Sequence, residues 1–80
     1  MDYITNGKII ARLIKIERRI NSIKRTLRNN EELDGDEWYE KLLGRLEAVK
    51  TELINILIDD CNISLEVVDA IIEGVEALYD

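Results

Sequence analysis

The side chains of this chain that could do chemistry are charged residues arranged in rows. Near the C-terminus, acidic residues recur three or four positions apart, at Glu66, Asp69, Glu73, Glu76 and Asp80. On a helix this spacing places them on one side as an acidic ridge, where like charges on neighbouring turns repel by ~0.2–0.5 kcal/mol per pair. We expect the ridge to dock a basic partner or mimic nucleic-acid phosphate, or else to be a solvated face that keeps the protein soluble.

The same segment carries apolar residues around much of its remaining circumference. They cover about half of the helical wheel, which is wider than the stripe that a helix needs to fill one groove. The surplus suggests contact with a second chain. The predicted partner-binding residues are therefore the acids Glu66, Asp69, Glu73 and Glu76 together with the apolar residues Ile71, Val75, Leu78 and Tyr79.

Basic residues form a second row near the N-terminus, at Lys8, Lys15, Arg18 and Arg25. Such a row can contact phosphates, and each neutralised phosphate adds salt-dependent affinity for nucleic acid. No exposed aromatic is interleaved with these residues, so base stacking has no platform. The alternative is a face that pairs with acids of this chain or of another copy, and we therefore expect nucleic acid to be the less favoured partner.

Catalysis and metal binding have little support in the composition. The chain has no His to act as a base, and its one cysteine, Cys61, follows Asp59 and Asp60, which disfavour a thiolate. Asp34 and Asp36 lack the alternating ligands and sixth-position Gly of a calcium loop, so we interpret these acids as helix caps. We predict no enzyme activity, no cofactor and no metal site.

Charge divides unevenly along the 80 residues. Residues 1–30 hold eight Lys or Arg and two Asp or Glu, a net of +6, whereas residues 31–80 hold three and fifteen, a net of −12. Arg12 and Lys15 interrupt the first apolar run, so we expect no signal peptide. No stretch approaches the roughly 20 apolar residues of a membrane span, and a lone cysteine suits a reducing compartment. We expect a cytoplasmic protein that does not enter a membrane.

Two long stretches of the chain must position these charged rows. In both, apolar residues alternate between steps of three and four, as in the a and d positions of a heptad repeat. The a positions are Leu13, Ile20, Leu27, Tyr39, Leu46 and Leu53, and the d positions are Ile9, Ile16, Ile23, Leu42, Val49 and Ile56. Two helices joined by a short link run antiparallel, so each a faces a d and the chain folds back between Asp34 and Gly35.

The same register pairs the residues that flank the seam. At the e positions it places Glu17 opposite Lys50 and Ile10 opposite Leu57. At the g positions it places Arg12 opposite Asp59 and Arg19 opposite Glu52. All three charge pairs are complementary, which specifies register more than stability.

The third segment is predicted to be a shorter helix capped by Ser64. Apolar residues outside the a/d seam lie in the first half of helix one, at Ile10 and Ile14, and mainly in the last half of helix two, at Ile54, Leu57 and Ile58. In the antiparallel register both sets lie at the end away from the link. The sequence therefore predicts one all-α domain over residues 1–80. Its helices cover about 6–31, 36–60 and 64–79, with the third packed over the open end of a coiled-coil-like hairpin as a three-helix bundle.

The link, Glu32-Leu33-Asp34-Gly35-Asp36-Glu37, resembles the inter-helix turn of the Rop family of plasmid copy-number regulators. Members of that family are helical hairpins that dimerise into four-helix bundles and bind RNA through their first helix. The resemblance covers six residues and implies hairpin dimerisation by analogy. It transfers no binding residues to this chain.

These patterns predict a non-enzymatic protein–protein interaction module that acts through the third helix. The small size and the acidity are typical of phage or plasmid regulators and inhibitors. Two alternatives stay open. One is an RNA-binding homodimer that uses the basic row of helix one, and the other is a purely structural homo-oligomer.

Overall fold

The computed structural model describes residues 3–30 and 36–79, and this part of the chain is all-helical, as predicted. Helix α1 spans Tyr3–Asn29, α2 spans Glu37–Asp59 and α3 spans Leu65–Glu76, followed by a 3-10 turn at Ala77–Tyr79. Helix α1 packs mainly against α2. Helix α3 packs over both, more extensively against α1 than against α2. The fold is a three-helix bundle.

The antiparallel register of α1 and α2 is visible in their ion pairs. Lys50 Nζ lies 2.8 Å from Glu17 Oε2, which confirms the predicted e-position pair. A second contact, 3.5 Å between Lys24 Nζ and Glu47 Oε1, also joins the two helices. The fold-back point between Asp34 and Gly35 lies outside the described residues.

Local sequence signals define where α2 and α3 begin. Asp36 accepts a hydrogen bond from the backbone N–H of Trp38 at 2.9 Å and caps α2. Ser64 Oγ accepts one from the backbone N–H of Val67 at 3.3 Å and caps α3. Between the two helices, Asn62 takes a left-handed φ of 57°, a conformation that asparagine tolerates better than most residues.

Helix α1 begins earlier than the sequence indicated. The sequence predicts a start near residue 6, but α1 begins at Tyr3, so Thr5 and Asn6, residue types that often cap helices, lie inside it. Asn6 is half-buried and its Oδ1 is enclosed by protein. Packing of this turn therefore outweighs the preference of these residue types for a cap position.

The hydrophobic core lies at the end of the hairpin away from the link. Leu13, Leu53, Leu57 and Val68 form its centre, with α3 contributing Val68. Half-buried residues from the first half of α1, the last half of α2, the connection that follows it and α3 surround this centre, namely Ile9, Ile10, Ile16, Val49, Ile54, Ile58, Cys61, Ile63 and Ile72. This confirms that the third helix covers the open end. Among the described residues, no helix is long and apolar enough to cross a bilayer.

Candidate interaction surfaces

The acidic ridge of α3 is fully presented to solvent. Glu66, Asp69, Glu73 and Glu76 are all exposed. Within the described residues, none of the four makes an ion pair with this chain. Asp80 lies outside the described residues. The ridge is therefore a line of uncompensated negative charge about three turns long.

A row of apolar residues runs along the opposite flank of α3. Val67 is 48% exposed, Leu78 is 69% exposed and Ile71 between them is half-buried. Gly74 completes the row with steps of four, three and four, and a Cβ added to it would meet nothing within 4 Å. We call Val67, Ile71, Gly74 and Leu78 the outer seam, because this spacing is that of a helix-docking stripe.

The structure buries one of the predicted apolar contact residues and leaves two others accessible at the surface. Val75 is only 6% exposed, so it packs within this chain and a partner does not reach it. Ile71 and Leu78 belong to the outer seam, and the side chain of Tyr79 is outside the described part. Val67 was not among the predicted contacts. The signal that could have identified it is its step of four from Ile71.

The predicted basic row of α1 is also exposed. Lys8, Lys15, Arg18 and Arg25 all face solvent. None of them takes part in an ion pair within residues 3–30 and 36–79. They lie on the outer side of α1 and do not converge with the acidic ridge of α3 into one site.

The hairpin itself is buried on one side only. The buried residues of α1 and α2 occupy a positions (Leu13, Ile20, Leu46 and Leu53) and e positions (Glu17 and Leu57). All six d residues, by contrast, are half-exposed. Around a heptad, a lies beside e and d lies beside g. Helix α3 therefore covers the a/e side. The d/g side, which we call the open face, is covered by no helix of residues 3–30 and 36–79.

The rims of the open face carry opposite charges. On the α1 rim lie Arg12 and Arg19, and on the α2 rim lie Glu52 and Asp59, all four exposed. The predicted pairs Arg12–Asp59 and Arg19–Glu52 do not form within the described chain, where neither approaches to within 4.0 Å. These two predictions are wrong for the isolated chain, because the seam is closed on the a/e side and open on the d/g side.

Shallow depressions mark the open face along its length. Ile16 lines one of them, Leu42 a second and Ile56 a third. At its link end, Trp38 is 63% exposed and packs edge-on against Tyr39, with ring centroids 4.7 Å apart. Trp38 therefore does not plug the end of the hairpin. It stands out from the surface as an aromatic that a partner can cover.

Glu17, Asn21 and Lys50 form a polar cluster that is more buried than the sequence predicts. Glu17 was predicted to pair with Lys50 at the surface, but it is 2% exposed. Its Oε1 accepts a hydrogen bond of 2.9 Å from Asn21 Nδ2, which also donates to the Glu17 carbonyl at 2.8 Å. The amino group of Lys50 reaches in to Glu17, and the Lys50 side chain is 24% exposed. The cluster is internal and compensated, so it organises the bundle and presents no reactive group.

Within the described residues, no group of three or more carboxylate or cysteine side chains is placed to hold a metal ion. Cys61 is half-buried against the core. The depressions described above are open and lined by side chains of one helix each. Comparison of the chain with protein family models, with curated proteins and with solved structures gives no significant match.

Proposed function

We propose that the protein is a non-enzymatic interaction module that binds a basic, amphipathic helix of a partner protein along α3. The observation that carries this proposal is the arrangement of α3, where the outer seam and the acidic ridge are both exposed, on opposite flanks of one short helix. Apolar contact area and charge selectivity are the two components that helix-in-groove recognition needs. A module of this kind regulates or inhibits its partner by occupying it.

The apolar component comes from large apolar side chains of a kind usually buried in a protein core. Val67 and Leu78 are among the most exposed large apolar residues of the described chain. Scattered exposed apolar residues are ordinary, but these two lie on one stripe with Ile71 and Gly74. The gap at Gly74 lets an incoming backbone or side chain approach α3 closely.

The charged component selects the partner. Four exposed carboxylates on one ridge repel other acidic surfaces and attract lysine and arginine side chains, mainly by increasing the rate of association. Salt weakens this attraction, because the Debye length is about 8 Å at physiological ionic strength. The proposed partner helix therefore has an apolar stripe flanked by basic residues.

Two synthetic helical peptides of equal length test this proposal. Both carry leucine along one stripe, and their flanks carry either lysine or glutamate. Fluorescence anisotropy should show binding of the lysine peptide and none of the glutamate peptide. The triple variant Asp69→Asn/Glu73→Gln/Glu76→Gln should bind the lysine peptide about tenfold more weakly, since each lost charge contributes roughly 0.5 kcal/mol.

A matched control removes the same number of charges elsewhere. The variant Glu37→Gln/Glu40→Gln/Glu47→Gln has the same net charge as the ridge variant but alters α2, and its affinity should stay near that of the wild type. The variant Val67→Ser/Leu78→Ser should lose binding without loss of helicity. Equal losses in the ridge and control variants, or equal binding of both peptides, would contradict the proposal.

RNA binding by α1 is the second candidate function. It rests on the four exposed cations Lys8, Lys15, Arg18 and Arg25, which lack ion-pair partners in the described chain. Charge reversal at Lys15 and Arg18 should then abolish affinity for a structured RNA and reduce the salt dependence of binding. Absence of RNA binding at low salt would remove this candidate.

A further inference from the structure

The open face of the hairpin is the largest feature of the fold that the proposed function leaves unused. It contains six half-exposed d residues between a basic rim on α1 and an acidic rim on α2. The accessible surface of the chain, 5823 Å², exceeds the roughly 5,000 Å² expected of a compact 9.3 kDa monomer. The excess fits a hairpin whose second side is uncovered.

We propose that a second copy of this chain covers the open face, so that two hairpins form a four-helix bundle with both α3 helices on the outside. The charges of the rims determine which copy-to-copy arrangement is favourable. When two such faces meet about a two-fold axis along the hairpin, α1 of each copy lies over α2 of the other. Each basic rim then meets an acidic rim.

The other two-fold arrangements lack this match. An axis that lies in the interface and crosses the hairpin places α1 on α1 and α2 on α2. Arg12 and Arg19 would then face their own counterparts, as would Glu52 and Asp59, and like charges across an interface are unfavourable. Charge complementarity thus selects a single symmetry for the pair.

Heights along the bundle agree with this choice. The hairpin register places Arg12 level with Leu57 and Arg19 level with Lys50. In the proposed dimer, α1 of the second copy keeps these heights above α2 of the first. Arg12 and Arg19 of one copy therefore lie about two residues, or roughly 3 Å along the axis, from Asp59 and Glu52 of the other.

The charge pairs that the sequence suggests are thus made between chains instead of within one. This explains why complementary residues occupy both rims although neither pair closes in the isolated chain. Arg45 farther along the α2 rim lies near the level of Thr26 of the second copy, so it meets a neutral residue. No like-charge contact arises among these rim positions.

The size of the face is adequate for a stable dimer. Helix α2 has 23 residues, which extend about 35 Å, and two adjacent helices are about 20 Å wide. The face therefore measures about 700 Å² per copy, or about 1,400 Å² in total, within the roughly 1,200–2,000 Å² of stable interfaces. Trp38 at its link end supplies the type of aromatic residue favoured at interface hot spots.

A charge-swap experiment tests both the interface and its symmetry. Variant A carries Arg12→Glu and Arg19→Glu, and variant B carries Glu52→Lys and Asp59→Lys. Sedimentation equilibrium should show a dimer for the wild type. Each variant alone should dimerise about a hundredfold more weakly, since four interchain pairs change from attraction to repulsion. An equimolar mixture of A and B should restore dimers that contain one of each.

Two further measurements keep the result interpretable. Circular dichroism should show wild-type helicity for A and B, which separates lost dimerisation from lost folding. The ridge variant Asp69→Asn/Glu73→Gln/Glu76→Gln should dimerise like the wild type, because α3 stays outside the bundle. A strictly monomeric wild type would overturn the proposal and leave the open face to a different protein. Dimers of A or B of undiminished affinity would also overturn it.

Discussion

The buried ion pair between Glu17 and Lys50 provides the sharpest test of the packing, because its two members should respond unequally to substitution. Glu17 is 2% exposed, whereas the side chain of Lys50 is 24% exposed. Replacing Lys50 with Met leaves a carboxylate inside the bundle, compensated only by the Asn21 amide. Replacing Glu17 with Gln leaves an ammonium group that can turn towards water.

The magnitudes follow from this difference in exposure. Removing one member of a fully buried pair costs about 3–5 kcal/mol. Because water reaches Lys50 in part, we expect Lys50→Met to lower the free energy of unfolding by about 2–4 kcal/mol. Glu17→Gln retains the shape of the side chain and an acceptor for Asn21, and we expect a loss of about 1–2 kcal/mol. Replacing both residues with Met should be nearly neutral, since apolar replacements of buried pairs often are.

Urea denaturation followed by circular dichroism, at one fixed protein concentration, measures these differences. The two single variants and the double variant Glu17→Gln/Lys50→Met form a cycle whose coupling energy should reach about 2 kcal/mol. Lys41, which pairs with Glu37 at 3.0 Å on the surface, is the matched control, and Lys41→Met should change stability by less than about 0.5 kcal/mol. Equal and small effects of Lys50→Met and Lys41→Met would refute the burial argument.

Other substitutions test individual elements by the same denaturation assay. Gly44→Ala should stabilise α2 by about 0.5–1 kcal/mol, because the added Cβ meets nothing within 4 Å; a destabilised variant would show that the site is occupied. Asp36→Ala should cost about 1 kcal/mol through loss of the cap, with Asp36→Asn close to wild type, and equal losses in both would argue against the cap. Leu57→Ala should cost about 2–5 kcal/mol because Leu57 is fully buried, and more than Ile56→Ala, whose side chain is half-exposed; the reverse order would contradict the placement of α3.

The elements of this fold follow from signals that act over a few residues. The heptad steps predict α1, α2 and their antiparallel register, and the Glu17–Lys50 contact confirms that register. Asp36 and Ser64 cap the starts of α2 and α3 by accepting hydrogen bonds from nearby backbone N–H groups. Asn62 takes the left-handed turn that follows α2. Extra apolar residues outside the seam predict where the third helix packs. Such local preferences are independent of the rest of the molecule, so the sequence alone contains them.

The exposure of particular side chains is determined by packing over longer distances. A heptad treats a and d alike, and nothing in the spacing of Leu13 and Ile16 indicates that the first is buried and the second half-exposed. That asymmetry arises when α3 settles on the a/e side. The same event buries Glu17, draws Val75 inside and leaves Val67 and Leu78 outside. Site residues on α3 were thus only partly predictable, because an amphipathic helix with apolar residues around half its wheel has more than one way to dock.

Because α3 docks on the a/e side only, the charges on the rims of the open face stay accessible. Had α3 covered the d/g side, Arg12, Arg19, Glu52 and Asp59 would have been the residues at risk of burial, and Glu17 and Lys50 would have remained at the surface. The chain instead covers the side with one charge pair, which closes internally, and leaves open the side with two pairs, which do not. Burying a charge without a partner is costly, so a side with two separated pairs is the better one to leave accessible. A second copy that supplies the missing partners satisfies those charges without carrying them into a dry core.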